Sequence, residues 1–188
     1  GIKFLSEGRQ RDAITAFDTA IRLNPRSAET YQARGMAYHE TGKHEQALKD
    51  YDAALALNPQ YAEAYFNRGN VYSDQGQHER ALKEYSEAVR LDANHSGAIF
   101  NRGLVYMFLR RLEAAADARA YVKLKGWKDD RAQYLVIFGA FGERWAQRET
   151  EARQLLDDAA ANCNTSAWPY PVIRYLRRDL SVDDLLAA

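Results

Sequence analysis

The 188-residue chain has one cysteine, four prolines, two methionines and no net charge. Each scarcity excludes something. Cys163 cannot close an internal disulfide, so the fold must rest on packing alone. The 26 basic residues cancel the 26 acidic ones. A neutral surface lacks the electrostatic footprint used against nucleic acid, and no polybasic segment is there for anionic lipid. The longest apolar runs, such as residues 134–140, are far too short to span a bilayer. At 46% hydrophobic and 28% charged, the composition is neither disordered nor collagen-like. No signal peptide is visible, which says little because the chain opens in the middle of a repeat.

Catalytic chemistry is equally scarce. His39, His44, His78 and His95 do not stand at metal-ligand spacing with cysteine or carboxylates, so neither metal nor cofactor is expected. His44 and His78 share one repeat place and read as solvated turn residues. Cys163 lies in a polar stretch with no neighbouring base and reads as an ordinary free thiol. No phosphate loop, dinucleotide fingerprint or nucleophile elbow occurs, so no enzymatic activity is expected. Asp129-Asp130 and Asp157-Asp158 are read as helix-start and solvated-face charges rather than a glycosidase pair.

What the chain does have is a period of 34. Tyr31, Gly35, Tyr38, Gly42, Ala47, Tyr51, Ala54 and Leu57 recur as Tyr65, Gly69, Tyr72, Gly76, Ala81, Tyr85, Ala88 and Leu91. One period earlier stand Gly8, Ala13, Phe17, Ala20 and Leu23. One period later stand Gly103, Tyr106, Ala115 and Val122, with the pattern fading. Tyr31, Arg34, Gly35 and Tyr38 fall on one helical face, as do Ala47, Tyr51, Ala54 and Leu55 on the next. A mid-helix glycine costs about 1 kcal/mol relative to alanine, so its recurrence calls for close helix packing. Ala47, Ala54, Ala81 and Ala88 are expected as the small partners. Gly42 and Gly76 suit a left-handed helix end, and Asn24-Pro25 and Asn58-Pro59 punctuate the repeats.

This motif resembles the tetratricopeptide repeat (TPR), a helix–turn–helix of 34 residues. Tyrosine and arginine stand where that family usually has tryptophan and leucine. The resemblance implies an all-α solenoid, a right-handed superhelix whose concave side is lined by first helices, with additional C-terminal helices. The expected array covers 1–125: a partial repeat 1–27, repeats 28–61 and 62–95, and a degenerate repeat 96–125. In that last repeat Arg110 replaces the turn glycine and Arg119 the tyrosine. Residues 126–188 are expected as a helical extension packing on the array. After a break at Lys125-Gly126-Trp127 come a helix with a stripe of Tyr134, Ile137, Phe138 and Phe141, and one around 148–161 with Leu155 and Leu156 inward. A loop at 162–167 precedes a short extended or first-turn segment bracketed by Pro169 and Pro171. Ser181 and Asp184 read as a further helix start. Both ends look cut, and the chain reads as part of a longer array.

Trp168-Pro-Tyr-Pro-Val-Ile-Arg-Tyr-Leu, leading to Ser181-Val-Asp-Asp-Leu, resembles a segment of bacterial NlpI-like proteins. That family includes envelope lipoproteins that act as adaptors for cell-wall hydrolases and proteases. The resemblance implies a periplasmic, envelope location; without it the expected location is the cytoplasm.

The repeat register selects a face for binding. On the second unit it offers Glu29, Gln32, Ala33, Met36, His39 and Glu40. The third offers Glu63, Phe66, Asn67, Asn70, Ser73 and Asp74, and the fourth Phe100, Asn101, Leu104, Met107 and Phe108. The amides suit a peptide backbone, since each donates and accepts. The carboxylates favour a segment with Lys or Arg beside an apolar anchor for Phe66 and Phe100. A rival reading packs Phe100 and Phe108 on the C-terminal helices. Arg34, Arg68 and Arg102 recur at one core-edge place. They read either as a basic ladder for an acidic ligand or, preferred here, as stems between helices with guanidinium groups on neighbouring carboxylates. The expected function is a non-catalytic scaffold or adaptor that binds a protein or peptide. The alternatives are a docking segment of a larger enzyme, or homo-oligomer formation through open repeat ends.

Overall fold

The computed structural model describes residues 1–163 and 169–177. Among these, every regular element is an α-helix. They are α1 (Ile2–Ser6), α2 (Gln10–Leu23), α3 (Ala28–Glu40), α4 (His44–Leu57), α5 (Ala62–Asp74), α6 (His78–Leu91), α7 (Ser96–Phe108), α8 (Glu113–Lys125), α9 (Asp130–Trp145), α10 (Glu149–Asn162) and α11 (Tyr170–Leu176). The chain forms two compact units, Gly1–Ala93 and Asn94–Ala188. In the first, α1 to α6 stack in sequence order. In the second, α8 packs on α7, α9 packs on both, and α10 and α11 follow. None of the described helices is long and apolar enough to cross a membrane.

The turn within each hairpin is built the same way every time. Gly42 N–H donates to the His39 carbonyl (2.9 Å) and Lys43 N–H to that of Tyr38 (2.8 Å). Gly76 and Gln77 repeat these bonds at 2.9 and 2.8 Å, as do Arg110 with Arg111 and Gln147 with Arg148. The residue at the corner must be left-handed, with φ of 72° at Gly42 and 69° at Gly76. Arg110 takes φ 55° and Gln147 φ 59°, a conformation that L side chains rarely adopt. Arg110→Gly is therefore expected to raise stability by about 1 kcal/mol, the relief of αL strain less the entropy of glycine. Urea unfolding of the two proteins measures it; no gain would mean that the arginine side chain compensates for its backbone.

The mid-helix glycines do face a close neighbour, although not the alanines. A Cβ on Gly35 would lie 2.7 Å from Cε1 of Tyr51, and one on Gly69 lies 2.7 Å from Cε1 of Tyr85. The partner sixteen residues on is thus a large ring, and the glycine makes room for it. Gly1 meets Phe17 at the same spacing. Ala47, Ala54, Ala81 and Ala88 are fully buried, but none of them is among the nearest neighbours of these glycines. In the second unit Arg119 stands where the ring would be, and Leu135 of α9 fills the place, 2.7 Å from a Cβ on Gly103. Gly139 and Leu155 renew the sixteen-residue spacing at 3.0 Å. With its repeat-like turn, α9–α10 is a fifth hairpin of the same build.

The end of α8 falls at Gly126, with φ 79°, and Asp129 caps α9 by accepting from the Arg131 N–H at 2.9 Å. The expected stripe of α9 is displaced. Leu135, Val136, Ile137, Gly139 and Ala140 are buried, whereas Tyr134 is exposed because α9 turns its other side to α7 and α8. Leu155 and Leu156 do face inward. Pro171 sits in the first turn of α11, where its missing N–H costs nothing. Cys163 is not in an open loop. It closes α10 and is buried, which pushes its thiol above the usual range. The Ser181 helix start lies outside the described residues, and of the NlpI-like segment residues 169–176 are described, as α11 and its cap.

Candidate functional site

The recurrent arginines are fully engaged. Arg34, on α3, donates from Nε and Nη2 to the two oxygens of Asp50 at 2.8 and 2.6 Å, and from Nη1 to Asp18 at 2.7 Å. One guanidinium therefore ties α3 to both α4 and α2. Arg68 does the same one period on. Its Nε and Nη2 converge on one oxygen of Glu84, Oε2, at 3.0 and 2.8 Å, and its Nη1 reaches Asp52 at 2.6 Å. Arg102 makes the two-oxygen fork again, with Asp117 at 2.9 and 2.6 Å. The planar bidentate pairs of Arg34 and Arg102 are of the strongest kind available to ion pairs. Burial pushes the carboxyls of Glu84 and Asp117 up, opposed by Arg68 and Arg102. The arginines are internal struts, not a ladder open to an acidic ligand.

The remaining polar groups of the first helices lie on a different side. In the first unit, α3 touches α5, and His39 Nε2 lies 2.7 Å from Asp74 Oδ2 across that junction. Glu40 accepts from Gln10 Nε2 at 3.2 Å. Glu29 belongs to the start of α3. Its own backbone N–H, then the Ser27 hydroxyl at 3.0 Å, hold its carboxyl below the ordinary range. Glu63 is exposed in the first turn of α5 and Ser73 is half-buried in its last.

The amides sit deeper than a surface stripe. Gln32 and Asn67 are each 7% exposed. Gln32 Nε2 points at Met36 Sδ, 3.0 Å away. Asn67 Nδ2 is enclosed and has no hydrogen-bond partner. Asn70 Oδ1 accepts from the Tyr85 hydroxyl at 2.9 Å. In the preceding repeat Met36 stands at the place of Asn70, and the Tyr51 hydroxyl is buried without a partner. Burial, with Asp50, Glu40 and Glu63 nearby, pushes that phenol well above its ordinary range. The register pointed to the amides and missed Tyr51, though the exchange of Asn70 for Met36 was a visible signal.

The aromatic residues are less open than expected. Phe66 is half-buried with its ring centroid 6.0 Å from that of Tyr85. In the second unit Phe100 is half-buried against Tyr121 at 5.6 Å, and the Arg131 guanidinium of α9 lies 5.7 Å from the Phe100 ring and 5.8 Å from that of Tyr121. Packing on the later helices accounts for Phe100. Asn101, Leu104 and Met107 are half-buried on the same helix, and Phe108 is exposed at its end. His44 and His78 open α4 and α6 and are half-buried rather than solvated in the turn. The His44 ring lies 5.6 Å from that of His39. Among the described residues no three His, Cys, Asp or Glu side chains converge as metal ligands.

The sequence matches the TPR family over residues 1–42 and 35–76 ("TPR repeat") and over 62–95 ("Tetratricopeptide repeat"). The chain belongs to the tetratricopeptide-repeat family, a fold of protein-interaction modules, and no catalytic family matches. No curated protein matches it. Among solved structures, MamA is 20% identical, with 86% of each chain covered and a TM-score of 0.71. YrrB, described as a TPR protein with an unusual peptide-binding site, is 19% identical over 94% of this chain and 87% of its own, with a TM-score of 0.70. PilF of Pseudomonas aeruginosa is 20% identical over 100% and 84%, with a TM-score of 0.73. At such identity these likenesses establish the fold.

Proposed function

We propose that the chain is a non-catalytic scaffold that holds an extended peptide or protein segment on the α3–α5 face of its first unit. The observation that carries this is the acidic α3–α5 junction, where Glu40 and Glu63 lie near the Tyr51 phenol and Asp74 meets His39 across the two helices. Arg34 and Arg68 are already committed to other carboxylates and do not offset it. That potential favours a ligand with Lys or Arg beside an apolar residue. The peptide-binding site named for YrrB agrees with such a role for this fold.

Fluorescence polarisation with labelled Lys/Leu and Glu/Leu peptides at two salt concentrations tests the reading. The basic peptide should bind more tightly, with modest affinity that falls as salt rises. Asp74→Asn should weaken it up to about fivefold, about 1 kcal/mol of exposed charge pairing, while leaving the melting temperature nearly level. Preference for the acidic peptide, lost on Arg68→Ala, would sink the proposal.

A further inference from the structure

One contact of the α3–α5 junction stands outside the repeat pattern. His39 Nε2 lies 2.7 Å from Asp74 Oδ2 across the two helices. One period on, the places of these residues hold Ser73 and Phe108, so the pair is no part of the packing motif. Nor does it build the turns, which close through backbone N–H groups.

The chemistry of this tie differs from that of the arginine struts. Arg34 and Arg68 hold their carboxylates with guanidinium groups, which stay charged at every accessible pH. An imidazole gains its charge between about pH 8 and 5. With His39 neutral, Nε2–H donates one hydrogen bond and Asp74 keeps its full negative charge. With His39 protonated, the same contact is an ion pair and the face carries one more positive charge. The Asp74 side chain is 58% exposed and that of His39 21%. A cation from solvent can therefore reach the carboxylate, and the imidazole competes for it from the protein side.

The groups around His39 leave this competition to it. Helix α5 contributes Asp74 and, toward Tyr51, Glu63, while α4 contributes His44 with its ring 5.6 Å away. On α3 itself Glu40 takes a hydrogen bond from Gln10 of α2. The start of α2 brings Arg9, held by Glu7 and Asp12, and Arg11 to the side of Thr41. Lys43 lies over the Tyr38 ring. Burial pushes the phenols of Tyr38 and Tyr51 up, so both stay neutral. Lys, Arg, Asp and Glu ordinarily hold their charge between pH 6 and pH 8, and histidine changes it. Of His39 and His44, His39 is the one seated on a carboxylate of the candidate face.

We infer that His39 makes the α3–α5 face a proton-gated cation site. Neutral, it leaves Asp74 to a Lys or Arg side chain of the bound segment; protonated, it takes Asp74 back and repels the ligand. This deepens the basic-segment reading of the same face and rests on it. Affinity for a basic segment therefore rises as pH climbs through the imidazole range and falls as His39 gains its proton.

The Lys/Leu peptide, acetylated and amidated and carrying a fluorophore insensitive to pH, has no group of its own that titrates in this range. Its binding is followed by fluorescence polarisation at pH 6 and pH 8 and constant ionic strength. The parent should bind about two- to fivefold more tightly at pH 8, the size of one exposed charge pair. His39→Gln should bind equally at both pH values, and His39→Arg weakly at both. His44→Gln should keep the parent's dependence. Circular dichroism at each pH checks that the variants fold. Calorimetry of the parent and of His44→Gln at pH 6.5, in two buffers of different ionisation enthalpy, should show proton release on binding, a readout that needs no change at His39. Equal affinity at both pH values, tighter binding at pH 6, binding without proton release, or a dependence that survives His39→Gln or vanishes in His44→Gln overturns the inference and leaves the basic-segment reading standing. No binding at either pH overturns both.

Discussion

Arg102→Ala is expected to destabilise the protein by about 3–5 kcal/mol, with a smaller loss near pH 4 than at pH 7. The side chain of Asp117 retains only 4% of its exposure and takes two hydrogen bonds from Arg102. Removing the guanidinium leaves a carboxylate in the wall between α7, α8 and α9 with its counter-charge gone. Burial already pushes the Asp117 carboxyl above its ordinary value in the intact protein. Without Arg102 that rise is no longer opposed, and the folded variant holds a proton that the unfolded chain releases. Over the window from the ordinary carboxyl range up to the raised folded value, the native state binds more protons than the unfolded one. Stability of the variant therefore falls as pH rises through that window. Urea unfolding at pH 4 and pH 7 gives both numbers. The double variant Arg102→Met with Asp117→Leu should recover most of the loss, since a packed apolar pair of similar volume often matches a buried ion pair. A single variant that loses under about 1 kcal/mol at neutral pH would mean that the pair behaves as an exposed one.

The same strut explains why the arginines could be placed from the sequence but not assigned from it alone. Their period of 34 was visible, and so were the carboxylates sixteen residues on at Asp50 and Glu84. What the period could not show is that the guanidinium groups of Arg34 and Arg68 also reach back to the preceding helix, at Asp18 and Asp52. That contact depends on stacking between hairpins. The fifth hairpin was hidden for a different reason. Its corner, Gln147, follows Arg110 by 37 residues instead of 34, and no glycine marks it. The helical pattern of residues 130–162 was legible, but the likeness to a repeat lay in backbone geometry and in the Gly139–Leu155 spacing. Which amides and carboxylates share the candidate face could be listed from the period. Its depth could not, because periodicity assigns a side to a helix and leaves open how closely the next helix covers it. Gln32 and Asn67 are buried by the neighbour's approach, and Phe66 by the ring of Tyr85.

Gly69→Leu is expected to cost about 1–3 kcal/mol or more, and Gly69→Ala a large part of that, against the usual direction of a helix-interior glycine. By propensity alone alanine should gain about 1 kcal/mol here. The contact decides otherwise. A bare Cβ at residue 69 would approach Tyr85 Cε1 to 2.7 Å, Cδ1 to 2.9 Å and Glu84 Cβ to 3.2 Å. The tyrosine ring is 1% exposed and its hydroxyl is tethered to Asn70, so it cannot swing aside without breaking that bond. Glu84 is held by Arg68, so relaxation on that side strains the strut as well. Leucine adds three further carbons to a space already closed. A thermal melt separates this from propensity, and two controls sharpen it. Tyr85→Ala combined with Gly69→Leu should behave far better than the sum of the two single changes, because the leucine then fills the cavity left by the ring. His78→Ala, at a helix start where the side chain is half-buried, should shift the melt much less. If Gly69→Ala melts above the parent, helix propensity outweighs the packing. The sixteen-residue glycine–ring pairing would then not be what sets the spacing of these hairpins.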